Sequence, residues 1–173
     1  MDELQKEIDA NSHQVGREQS MKKYIGTKIV TATPMSRGSY NTYRGWELPA
    51  DENGDDEGYL VEYMDGGKPN HTDHKGYISW SPKEQFDNAY REIDGMTFGQ
   101  AIEAMKRGDK VSRAGWNGKG LWLELQAPGA NSKMTLPYIF MSYPSDAKTT
   151  PGARVPWLAS QTDMLAEDWA IVE

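Results

Sequence analysis

DGMTFGQAIEAMKRGDK, residues 94–110, decides how the second half of the chain is read. Thr97 followed three residues later by Gln100 makes a capping box, and Phe98, Ala101, Ile102 and Met105 fall on one helical face. Lys106, Arg107 and Gly108 then supply the C-terminal signals. The spacing therefore predicts a helix with one apolar face. KVSRAGW (110–116) follows as a short strand, then the glycine-rich turn GWNGKG (115–120), then LWLELQA (121–127) with strict alternation. In that strand Leu121, Leu123 and Leu125 point one way, predicting the core, and Trp122, Glu124 and Gln126 point the other.

Beyond the loop PGANSK, MTLPYIFMSY (134–143) predicts another strand and PSDAKTTPGAR (144–154) a long loop. In the closing stretch VPWLASQTDMLAEDWAIVE (155–173), Ser160 and Asp163 have N-cap spacing for one or two helical turns, and WAIVE returns as a terminal strand. Upstream, YIGTKIVTATPM (24–35) reads as a β-type run ending at Pro34, while DEGYLVEYMDG (56–66) and GYISWSP (76–82) read as strands joined by an open polar loop. SPKEQFDNAYREI (81–93) reads as a helix capped by Ser81, with Pro82 at its first position and Glu84 closing a capping box. Residues 1–23 carry only a weak helical pattern.

The fold class expected is α+β. A small, mostly antiparallel sheet with one main helix (94–173) is preceded by a small β-rich domain with a C-terminal helix (24–93) and a helical or mobile leader (1–23). Cores of this size are marginal alone, so oligomerisation is expected.

Composition narrows the function. There is no cysteine among 173 residues, which excludes disulfides, thiolate nucleophiles and Cys-based zinc sites and suits a reducing cytoplasm. No apolar run is long enough for a membrane span, and the first twenty residues lack a secretion signal, so neither a membrane nor export is expected. The net charge of −7 is concentrated up to residue 94, with 18 acidic against 11 basic side chains; the remainder holds 8 of each. That distribution argues against a nucleic acid polymer as partner and leaves room for one small anionic ligand in the second half.

Several constellations carry binding chemistry. The glycines of GWNGKG free the backbone to turn its N–H groups toward phosphate oxygens, with Lys119 adding a mobile charge, although an ordinary hairpin turn explains the same residues. Trp116, Trp122, Trp157 and Trp169 put four of the six tryptophans in the last third. Such planes stack on nucleobases or serve as core bulk. Trp169, followed by Ala-Ile-Val, is assigned with Ile171 to the core. Gln161, Thr162 and Asp163 offer an amide, a hydroxyl and a carboxylate to a base or ribose edge, or else a helix cap. NHTDHKG (70–76) contains His71, Asp73 and His74, which read as a solvated turn, and no metal is assigned. All three histidines lie outside the second half, so no Ser-His-Asp arrangement is expected.

Residues 95–173 resemble a phage-encoded domain family formerly of unknown function, the Thoeris anti-defence type 2 family. The resemblance is carried by MTFGQA, GWNGKG, LPYI and VPWLASQTDMLAEDW. It implies a non-enzymatic sponge that binds and sequesters cyclic nucleotide immune signals in the infected bacterial host's cytoplasm. Those signals are the cyclic ADP-ribose isomers of Thoeris, with cyclic di- or trinucleotides of the CBASS type bound by some members. It also implies homotetramers with ligand pockets between subunits. Residues 24–92 resemble a second phage segment of unknown function, through YIGTKI, PMSRGSYNTYRGW, DEGYLVEY and GYISWSPKEQF.

Residue chemistry and the resemblance together nominate Phe98, Arg113, Trp116, Asn117, Lys119, Trp122, Tyr138, Trp157, Gln161, Thr162 and Asp163 as ligand-binding, with no catalytic residue and no cofactor. Aromatic planes would wall the bases, Arg113 and Lys119 neutralise phosphates, and the amides, hydroxyl and carboxylate read polar edges. Two rivals are a metal-dependent cyclic-nucleotide phosphodiesterase using His71, Asp73 and His74, and a protein-interaction module using the Trp-rich face.

Overall fold

The computed structural model describes residues 22–116 and 120–172. Two antiparallel sheets are present among the described residues, the first in the order β1 (Thr31–Pro34), β2 (Gly58–Tyr63), β3 (Tyr77–Pro82) and the second in the order β7 (Arg154–Pro156), β6 (Tyr138–Ser142), β5 (Trp122–Gln126), β4 (Lys110–Arg113), β8 (Trp169–Val172), together with four helices. The α+β class expected from the pattern is what the chain adopts. No helix among the described residues is long and apolar enough to cross a membrane.

In the first sheet, β1 (Thr31–Pro34), β2 (Gly58–Tyr63) and β3 (Tyr77–Pro82) pair in the register Thr31↔Glu62 and Leu60↔Trp80. The expected β-run from residue 24 is thus confined to its last residues. Helix α1 (Arg37–Arg44), which the sequence pattern did not declare, packs Tyr40 against Leu60 and Ile78 with Met35, Tyr43 and Trp80 around them. Gly38, Ser39, Asn41 and Thr42 are poor helix formers, and the helix relies on its ends. Ser36 accepts the N–H of Ser39, and Gly45 closes the C-terminus at φ 69°.

Helix α2 (Lys83–Ala89) starts later than expected, with Pro82 at the N-cap position and no side-chain cap. Ser81 cannot cap it because it is still in β3, opposite Tyr59. Sheet pairing here outcompetes the local capping signal.

The second sheet is built around helix α3 (Phe98–Arg107), whose Thr97–Gln100 capping box and Gly108 C-cap at φ 99° form as the spacing predicts. Ala101, Ala104 and Met105 of α3 are buried against Val111 of β4 (Lys110–Arg113), Leu123 of β5 (Trp122–Gln126) and Trp169 of β8 (Trp169–Val172). Leu125 and Ile171 pack at the margin of that cluster, so Leu123, Leu125 and the Trp169–Ile171 assignment hold, whereas Leu121 precedes the strand and is not part of the cluster. β6 (Tyr138–Ser142) pairs with β5 and with β7 (Arg154–Pro156), an edge strand that begins at the last residue of the expected loop and that the pattern did not declare. One turn of helix, α4 (Gln161–Met164), precedes β8 and carries the Ser160–Asp163 capping box.

Candidate functional site

Trp169 is fully buried, and its indole N–H donates to the Asp163 carbonyl at 3.0 Å. Around it stand Phe98, Trp116 and Trp157, with ring centroids 5.3, 5.5 and 6.0 Å away. Trp116 and Trp157 are also 6.1 Å apart, and Phe98 and Trp157 are 6.0 Å apart. These tilted and edge-to-face distances are those of favourable aromatic packing. Phe98, Trp116 and Trp157 each remain partly exposed, so one edge of the domain presents three aromatic surfaces backed by a buried fourth.

Four loci bring this edge together. Thr97 caps α3 and directs Phe98 from its first position. The end of β4 leads through Gly115 to Trp116. The backbone N–H of Trp157 bonds to Ile139 O at 3.0 Å and seats that ring beside β6. Gln161 and Thr162 are exposed on α4, the helix whose Asp163 holds the Trp116 indole N–H, and the Thr162 hydroxyl is 2.8 Å from that of Ser160.

Arg113 locks the arrangement. Its Nη1 donates to Asp163 at 2.8 Å and its Nε to Asp168 at 2.7 Å. Asp163 also accepts the Trp116 indole N–H at 3.1 Å and the Ser160 N–H at 3.0 Å, and Asp168 accepts the Gly115 N–H at 2.8 Å. A Cβ on Gly115 would meet the Asp168 carboxylate at 2.8 Å, so glycine is required for that approach. Burial pushes the Asp163 carboxyl up. The hydrogen bonds from Ser160, Arg113 and Trp116 outweigh it and hold the group well below the usual carboxylate range. The Arg113 hydrogen bond likewise holds Asp168 down, and Asp168 followed by Asp163 pushes Arg113 up.

Of the eleven nominated residues, Phe98, Arg113, Trp116, Trp157 and Asp163 come together through ring packing and hydrogen bonds, Gln161 and Thr162 are exposed on the helix that carries Asp163, and Asn117 and Lys119 lie outside the described residues. Trp122 and Tyr138 stand elsewhere. Val111 pairs with Leu123 and Ile139 with Leu125 on the helix-facing side, so alternation puts Trp122 and Tyr138 on the opposite face of the sheet. There Trp122 donates to Glu124 at 2.6 Å beneath the Lys110 ammonium, 5.2 Å from its ring. From sequence, Asp168 beside Glu167 reads as solvated surface; instead it is partly buried and paired with Arg113, a partner 55 positions away that leaves no periodic or capping signature.

Two open clefts among the described residues, of about 400 Å³ beside Lys28, Tyr63 and Tyr77 and about 330 Å³ beside Thr27–Thr31, share no residue with the aromatic edge. His71 and His74 are not the solvated turn that the loop composition suggested. Their side chains are only 19% and 17% exposed, and both contact Tyr43.

A small antiparallel sheet with one long helix and an aromatic edge locked by an arginine and two carboxylates describes a compact α+β domain class. Comparison with known proteins places it further. The sequence profile of the Thoeris anti-defense 2-like domain matches residues 96–172. The protein called Thoeris anti-defense 2 of Bacillus phage SP01 is 39% identical over 85 residues, covering 44% of this chain and 94% of that relative. The chain belongs to the Thoeris anti-defense 2 family through this region.

Proposed function

We propose that residues 94–173 act as a phage anti-Thoeris binding domain that sequesters a cyclic nucleotide immune signal without cleaving it. The observation that carries this reading is the clustering of Phe98, Trp116 and Trp157 at one edge of the region that matches the family, next to the one-turn helix that holds Trp116 through Asp163 and exposes Gln161 and Thr162. Half-exposed indoles offer flat faces to a base, each stacked face contributing about 1–3 kcal/mol. The polar side chains beside them suit ribose or base edges. A cyclic ADP-ribose isomer has these parts, and cyclic di- or trinucleotides share them.

The roles divide into walls and frame. Phe98, Trp116 and Trp157 are the walls, and Gln161 and Thr162 read polar edges. Asn117 and Lys119 are assigned from their chemistry to the phosphates. Arg113 and Asp163 are assigned to the frame rather than to the ligand, because their charged groups already satisfy one another and Asp168. Trp122 and Tyr138, on the other face, would meet a ligand only as a separate site.

Leu158, Leu165 and Met164 beside this edge are 92%, 79% and 42% exposed. Apolar groups so placed favour burial against another subunit, which supports a homo-oligomer, a tetramer by resemblance, whose neighbour closes the site. Residues 24–93 are proposed as a separate appended domain and 1–23 as a leader.

A thermal-shift screen against cyclic ADP-ribose isomers and cyclic di- and trinucleotides tests the reading. A ligand-dependent rise in melting temperature, weakened roughly ten- to hundredfold in apparent affinity by Trp157→Ala, is the expected result. No shift with any member of the panel would overturn it.

A further inference from the structure

Alternation along β2 and β3 divides their side chains between two faces. Leu60, Ile78 and Trp80 pack under α1, so Tyr63, Tyr77 and Ser79 belong to the opposite face, with Tyr63 and Tyr77 directly across from each other in the pairing. Phe86 of α2 stacks on Tyr59 at 4.3 Å and on Tyr90 at 4.7 Å, which covers the Tyr59 end of that face. The Tyr63–Tyr77 end stays open as the cleft of about 400 Å³, bordered by Lys28, Asp65, Ser79 and a glycine turn. Gly66 and Gly67, at φ 150° and 88°, take the chain around its rim in conformations that favour glycine, so no side chain from the turn fills it. The Lys28 ammonium lies 2.9 Å from the Asp65 carboxylate and 5.5 Å over the Tyr63 ring. Tyr77 is 46% exposed. The Ser79 hydroxyl donates to that of Tyr63 at 3.4 Å, a long contact that leaves both oxygens able to take another partner.

We propose that this cleft binds a neutral sugar, one ring of which lies on Tyr77 while adjacent hydroxyls bridge Lys28 and Asp65 and a further hydroxyl meets Ser79. The volume is that of a small-molecule pocket. Charge selects the class first. Lys28 and Asp65 cancel, so no net cation is left for a phosphate or a carboxylate, and the acidic excess up to residue 94 repels anions. Hydrogen bonding selects it further. An ammonium held beside a carboxylate presents donors and acceptors side by side, and a vicinal diol matches that pair because each hydroxyl both donates and accepts. Both charged groups are half exposed, so hydroxyls reach them without displacing the protein. The Tyr77 ring gives the C–H face of a sugar an apolar wall, with the polar groups at its margin. The neighbouring cleft of about 330 Å³ shares Lys28 and Asp65, which leaves room for a second ring beyond the ion pair. The site lies on the first sheet and is separate from the sequestration proposed for the second.

The test is a titration of the full chain, carbon-13 labelled at its tyrosine rings, with glucose, galactose, N-acetylglucosamine and ribose in turn, followed by nuclear magnetic resonance. At least one sugar should move two of the nine tyrosine ring signals along a saturable curve of roughly millimolar affinity. Tyr77→Phe should remove one of the two signals, which assigns it. Tyr77→Ala should weaken binding roughly tenfold through loss of the wall, and Asp65→Asn by a similar factor through loss of the charged acceptor. Inorganic phosphate should move neither signal. No saturable shift with any of the four sugars, a sugar curve unchanged in Tyr77→Ala, or the same two signals moved by phosphate would each overturn the site. The wild-type titration is read without any variant, so the site stands or falls on it even where a substituted chain fails to fold.

Discussion

Arg113 joins α4 and the approach to β8 through one guanidinium, and Trp116 is held in the same network by its indole N–H. Removing Arg113 leaves the buried Asp163 and the partly exposed Asp168 carboxylates without their shared cation. Arg113→Leu should therefore lower stability by roughly 3 kcal/mol in chemical denaturation, and weaken ligand binding through displacement of Trp116. The pH dependence follows from the two carboxylates. Both are held below their ordinary range in the folded state, so their contribution is complete above the unfolded value of about 3.9 and is lost as pH falls below about 4. The melting temperature should fall progressively as the pH drops below about 4, and Asp168→Asn should melt lower at pH 7 with a flatter fall on acidification. At this scale the sequence revealed which side chains were chemically capable. It did not reveal that Arg113 and Asp163 satisfy each other, since a pairing across 50 positions has no local signal.

At the scale of elements, local rules were reliable where tertiary pairing agreed with them. The Thr97–Gln100 and Ser160–Asp163 capping boxes form as spaced, and Thr97→Ala should cost about 1 kcal/mol, visible as a fall in melting temperature of a few degrees. Ser160→Ala should cost at least as much, because Ser160 also bonds the carboxylate that holds Arg113. Where the rules conflicted, the sheet won: Ser81 has a good capping signature but is committed to β3, so its loss should leave α2 largely intact. Helix α1 was illegible for the opposite reason. Its residues are poor helix formers, and it exists because Tyr40 finds Leu60 and Ile78, contacts that no window of sequence displays.

At the scale of the whole molecule, the two sheets carry their own hydrophobic clusters, one around Tyr40, Leu60 and Ile78 and the other spanning Met96 to Trp169. A fragment of residues 94–173 should accordingly unfold cooperatively and keep its ligand affinity, which calorimetry on the fragment would check. Alternation along β5 correctly assigned its leucines to the core, yet the face carrying Trp122 and Tyr138 was nominated together with the aromatic edge, although the pleat separates them. The family motifs cover the second sheet and leave the first to be understood from its own contacts.

The central claim, binding without turnover, is tested most directly by what the protein gives back. The purified chain is incubated with a cyclic ADP-ribose isomer that shifts its melting point, separated from free ligand, denatured by heat, and the released ligand is resolved by chromatography. Intact ligand in stoichiometric amount is the predicted result; a linear or hydrolysed product would contradict it.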